Sequence, residues 1–102
     1  METLSANKYL EQLMFLMEEK KLYLIKELSA LEIARLLKIK NWELNNLLNE
    51  NLGLGIEKII SMYRIQHARE LLFMGVRFKE IWKFSGFVSQ SSMERAFQDV
   101  VV

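Results

Sequence analysis

Two short polar clusters hold most of the chemistry available to this chain. In NWELNNLLNEN, Trp42, Asn45, Asn46 and Asn49 recur at three- and four-residue spacing, and in SQSSMERAF so do Gln90, Ser91, Glu94 and Arg95. On a helix, that spacing gathers each set on one face. Asparagine and glutamine pair a donor with an acceptor and fit the edge of adenine, arginine forks onto guanine, and serine adapts to a base or a phosphate. Asparagine and serine are also poor helix formers, so a face meant only for solvation would be more stable with Lys or Glu. Taken alone, the second cluster also fits a simpler reading: a solvated amphipathic helix with Met93 and Phe97 in the core.

Catalysis has no comparable set. The 102 residues include no cysteine and one histidine, His67, so neither a disulfide framework nor a metal cluster is expected. There is no glycine-rich phosphate loop, and Glu18 and Glu19 are adjacent in sequence, which points them to different sides of a helix. The reading is a non-enzyme with no cofactor, no metal and no small-molecule site.

The elements that must position the clusters are helical. Proline is absent, Leu, Glu, Lys, Met and Ile dominate, and no period-two strand pattern occurs. A first helix over about residues 6–20 has an apolar stripe of Tyr9, Leu10, Leu13, Met14 and Met17, and a connector follows with Leu22 and Leu24 inward. Ser29 is the expected N-cap of a helix that buries Leu31, Ile33, Ala34 and Leu37, with Glu32 as capping-box partner. A second helix from Asn41 to Asn51 buries Leu44, Leu47 and Leu48 and stops at Gly53. The longest pattern runs from Ile56 to Met74 and buries Ile59, Ile60, Tyr63, Ile65, Ala68, Leu71 and Leu72. Its span is on the order of 28 Å. Phe78, Ile81, Trp82 and Phe84 mark another short helix, Gly86 permits a turn, and the second polar cluster supplies the last helix.

This order contains a weak repeat. Ile33 answers to Ile81, Lys38 to Gly86, Ile39 to Phe87, Leu44 to Met93 and Leu48 to Phe97, at offsets of 48 or 49 residues. The prediction is an all-α chain of six or seven helices, with two helix-turn-helix units joined by one long helix. Its parts are an N-terminal helix and lead-in over 1–27, a first unit over 28–53, the linker over 56–74 and a second unit over 77–98, within one compact domain. In such a unit the second helix lies in the DNA major groove, and consecutive grooves on one face are about 34 Å apart. A linker of the expected length suits one monomer reading two adjacent grooves.

From Leu28 to Phe97 the chain resembles the C-terminal DNA-binding domain of the AraC/XylS family of bacterial transcriptional regulators. The resemblance rests on LSALEIARLLKI, NWELNNLL, NLG, the linker signature YRIQHARELL, IWKFSGF and SQSSMERAF, in register without a gap over about seventy residues. The lead-in LMEEKKLYL is similar to that of AraC-type domains in large Bacteroidetes-like regulators. The resemblance implies that Trp42, Asn45 and Asn46 face bases from the first recognition helix, and Gln90, Ser91, Glu94 and Arg95 from the second. Asn49 continues the first face by spacing. Three departures stand out. Lys38 replaces the usual Gly of the first turn, where a left-handed backbone would cost roughly 1–2 kcal/mol. Trp82 replaces a small residue, where a large ring would widen the packing or move the last helix. QDVVV stands where the family carries a basic ending.

Charge is evenly balanced: 14 basic and 13 acidic residues leave a net charge of +1. The basic excess lies between Lys58 and Lys83, where six basic residues face Glu70 and Glu80. Lys40, Arg64 and Lys79 are the candidate phosphate contacts, with a structural salt bridge or cap contact as the alternative for Arg64. No apolar run reaches the roughly 18–20 residues of a membrane span, so a soluble cytoplasmic protein is expected. Two functions remain open. One is sequence-specific DNA binding, either alone or with an upstream sensor or dimerisation domain. The other is a truncated protein-interaction domain that pairs with a regulator or with itself through Leu10, Met14, Met17 and the valine-rich tail.

Overall fold

The computed structural model describes residues 3–101, with side chains from 6 to 99. All regular elements among the described residues are helical: α1 (Thr3–Glu18), a 3-10 turn (Leu22–Leu24), α2 (Ala30–Leu37), α3 (Asn41–Asn51), α4 (Ile56–Phe73), α5 (Phe78–Phe84) and α6 (Gln90–Val101). None is long and apolar enough to cross a membrane. The chain forms two compact units. One comprises the chain through Leu22 with Leu28–Ile59, and the other comprises Tyr23–Glu27 with Ile60 onward.

In the first unit, Ala6, Leu13 and Met17 of α1, Ile33, Ala34 and Leu37 of α2, Leu44, Leu47 and Leu48 of α3, and Ile56 and Ile59 at the start of α4 are buried. The Ser29 hydroxyl caps α2 by accepting the Glu32 N–H at 3.3 Å. Lys38 ends α2 in the left-handed region, φ 61° and ψ 40°, as its place in the turn predicts. At the start of α3 the Glu43 carboxylate accepts the Lys40 N–H at 3.0 Å. Two expected core residues face out: Met14 is 51% and Leu31 50% exposed. Each lies roughly 80–110° around its helix from the centre of the buried stripe, at about 100° per residue.

In the second unit, Ile65, Ala68, Ile81, Phe87 and Met93 form the core, with Leu71, Val76, Trp82, Ala96 and Phe97 packed against it. Leu72 and Leu24 are exposed instead of buried, and Tyr23 takes the inward place in the connector. The Ser85 hydroxyl, fully buried just past the end of α5, donates to the Ile81 carbonyl of that helix at 2.7 Å. Ser89 caps α6 by accepting the Ser92 N–H at 3.1 Å.

Candidate nucleic-acid interface

The two polar clusters occupy the outer faces of α3 and α6. On α3, Leu44, Leu47 and Leu48 are fully buried, while Asn45, Asn46 and Asn49 are exposed on the opposite side and Trp42 is 60% exposed. Their orientation follows from the inward leucines: with 3.6 residues per turn, Trp42, Asn45, Asn46 and Asn49 must share the remaining face. Asn51 turns its amide back onto the Leu47 carbonyl at 2.8 Å. Among the described residues, nothing bonds the side-chain amides of Asn45, Asn46 or Asn49.

α6 is arranged in the same way. Met93 is fully buried and Ala96 and Phe97 pack inward, leaving Ser91, Glu94 and Arg95 exposed. Gln90 is half-buried, and its Nε2 donates to Glu94 Oε1 at 3.1 Å, so this pair meets any ligand as a unit. Gln98, exposed and seven residues beyond Ser91, extends the face. The three- and four-residue spacing already points to it.

The basic candidates differ in their surroundings. Lys40 is exposed at the N-terminal end of α3, and Lys79 is exposed on α5. Lys83 forms an ion pair with Glu80 at 2.9 Å. The hydrogen bond from Lys83, then its charge, with weaker help from Lys79 and Arg77, holds the Glu80 carboxyl below its usual range. Arg64 faces inward instead. Its Nε donates to the Tyr23 carbonyl and its Nη2 to the Ile25 carbonyl, both at 2.7 Å. Its guanidinium carbon lies 5.9 Å from the Phe87 ring centroid, and burial lowers its pKa. The sequence gives no sign of this pairing, since Arg64 and Tyr23 are 41 positions apart.

Trp82 is accommodated at the edge of the second core. Its ring packs against that cluster and lies 5.3 Å from the Lys26 ammonium and 5.9 Å from that of Lys83. Among the described residues, no group of three or more His, Cys, Asp or Glu side chains is placed to hold a metal ion.

α3 and α6 are thus alike: each is the second helix of a helix-turn-helix, apolar inward and polar outward. Residues 33–101 match the helix-turn-helix domain family in its AraC-type form. The chain belongs to this family. AraC-type helix-turn-helix domains are DNA-binding domains of transcriptional regulators, not enzymes, and DNA is the partner the family assigns. The match begins at Ile33 and does not reach the lead-in before it. Neither the curated proteins nor the solved structures contain a significant match.

Proposed function

We propose that this AraC-type domain binds DNA sequence-specifically, with α3 and α6 as the recognition helices of two reading modules over 28–53 and 77–98. The observation that carries the proposal is the set of unbonded asparagine amides on α3, opposite a row of fully buried leucines. Exposed amides without internal partners cost the helix propensity and return nothing to the fold, whereas paired to adenine edges each supports about 1–3 kcal/mol of discrimination. Asn45, Asn46 and Asn49 are the proposed adenine readers, and Trp42 packs against a thymine methyl or the sugar edge. Arg95 reads guanine from α6, and Ser91 and the Gln90–Glu94 pair bond neighbouring edges. Lys40 and Lys79 contact phosphate. Arg64 is left out of that group because two of its donors are already committed to carbonyls of its own chain. One monomer then occupies two consecutive major grooves, about 34 Å apart.

The protein-interaction alternative loses support from α1: Met17 is fully buried and Leu10 half-buried, which leaves only Met14 open among its named residues there. Its valine tail lies outside the described side chains. Selection from random duplex DNA at low and near-physiological salt tests the proposal, with Asn45→Ala, Asn46→Ala and Arg95→Ala in parallel. The expected result is a two-part motif about one helical turn apart, one part relaxed by the asparagine substitutions and the other by Arg95→Ala. A folded protein that enriches nothing would refute it.

A further inference from the structure

The connector Tyr23–Glu27 precedes the first helix-turn-helix in sequence, yet it packs in the same unit as the second. Several contacts hold it there. Arg64 on α4 bonds two of its carbonyls, those of Tyr23 and Ile25, each at 2.7 Å. The Tyr23 ring stacks on Tyr63 with centroids 5.8 Å apart and meets His67 edge-on at 5.9 Å. The Lys26 ammonium lies 5.3 Å from the Trp82 ring centroid on α5. The turn between α5 and α6 lies directly against this clamp. Gly86 has φ +89° there, and a side chain on it would run into the Tyr23 carbonyl and the Arg64 Nε. The guanidinium also covers the Phe87 ring, and Phe87 is part of the core on which Met93 of α6 sits.

We infer that Arg64 is a positioning residue for α6. By bonding the Tyr23 and Ile25 carbonyls, and so keeping the Tyr23 carbonyl against the Gly86 turn, it makes the segment before the first helix-turn-helix a working part of the second. It thereby fixes the angle at which α6 presents Ser91, Glu94 and Arg95. The geometry suits arginine in particular, because its planar fork offers two donors in a fixed relation, while the single ammonium of lysine cannot hold two separated carbonyls in the same way. The consequence for DNA rests on the reading in which α6 enters a groove. The clamp itself does not.

The test compares the full chain with Arg64→Lys and Arg64→Met in two measurements. Without DNA, amide hydrogen exchange in Arg64→Met is expected to quicken by at least about tenfold at Tyr23–Glu27, at Gly86 and Phe87 and in the first turn of α6, while α2 and α3 keep their protection. Arg64→Lys falls between Arg64→Met and the unsubstituted protein. Unchanged exchange in Arg64→Met would overturn the clamp. In the DNA selection, Arg64→Met is expected to lose about tenfold in base preference within the half-motif assigned by Arg95→Ala, leaving the other half-motif and the salt dependence as they were. A phosphate-contacting arginine behaves differently: it weakens both halves alike and makes the salt slope shallower by about one phosphate, and that outcome would overturn the positioning role. If the unsubstituted protein enriches no motif, the DNA reading fails, and the exchange comparison alone decides for or against the clamp.

Discussion

Gly86 and Gly75 form a matched pair for measuring what the connector contributes. Both lie in the second unit with nearly equal left-handed backbones, φ +89° and φ +90°. A Cβ at Gly75 meets nothing within 4 Å, whereas one at Gly86 collides with the Tyr23 carbonyl and lies 2.9 Å from Arg64 Nε and 3.1 Å from Leu24 Cα. Gly75→Ala therefore costs only the left-handed backbone of an L-residue, about 1–2 kcal/mol, less the few tenths to 1 kcal/mol returned by a stiffer unfolded chain. Its expected net destabilisation is about 1 kcal/mol. Gly86→Ala carries the same backbone cost and must also push the connector away from Arg64. A hydrogen bond to a charged group contributes about 1.5–3 kcal/mol, and the lower end applies here because the Ile25 bond is exposed. Losing one or both bonds brings the expected total to about 2.5–4 kcal/mol.

Folded domains hold about 5–15 kcal/mol, so Gly86→Ala should remain folded in the cold while unfolding far earlier than Gly75→Ala. For a domain near this size, the two changes correspond to falls in Tm of roughly 10–30 °C and about 5 °C. Urea titration followed by fluorescence of Trp82, which packs on the second core, reads the unit concerned when it is done in a Trp42→Phe background that removes the first unit's tryptophan. Equal midpoint shifts for the two alanine variants, at equal denaturant slopes, would refute the reasoning. They would mean that the connector moves off the Gly86 turn at no cost.

Lys38→Gly should act in the opposite direction: relieving a left-handed lysine returns about 1–2 kcal/mol, of which glycine's greater unfolded freedom takes back roughly 0.5–1. A Tm rise of a few degrees is expected, and a fall would contradict the strain assigned to that turn. Burial, and secondarily the Glu70 charge, raise the pKa of the Tyr23 phenol. The folded state therefore disfavours the phenolate, and the contribution to stability is complete below the unfolded tyrosine value near 10 and is lost as pH climbs through the higher folded value. Denaturation midpoints across pH 9 to 11 should show a smaller alkaline decline in Tyr23→Phe, and an unchanged decline would remove the assignment. For DNA, Arg64 is turned inward and Lys83 is paired with Glu80, which removes two cations from the second unit's face, so the log–log salt slope of specific binding should stay short of the roughly −5 expected for six phosphates. A slope that steep would show that phosphate neutralisation, and not base contact, dominates.

How much of this arrangement the sequence reveals depends on how local its causes are. The cap at Ser29, the left-handed Lys38 and the turn at Gly86 each depend on bonding or backbone geometry within a few residues, and all three can be read directly. The apolar stripes are legible to within one step around a helix. Leucine and methionine tolerate either side of that boundary, which is why Met14 and Leu31 are exposed while Met17 and Ile33 are buried. The polar faces are legible for a different reason: an asparagine row opposite a leucine row is costly in a free helix, and the cost shows in composition alone. Nothing local marks Tyr23–Ile25 as the partner of Arg64, because backbone carbonyls have no sequence signature and the two segments are about forty positions apart. A helix face can therefore advertise what it binds, while the chain that holds the helix at its working angle shows itself only in three dimensions. In this domain the turn that leads into α6 packs against residues which, in sequence, precede the first helix-turn-helix.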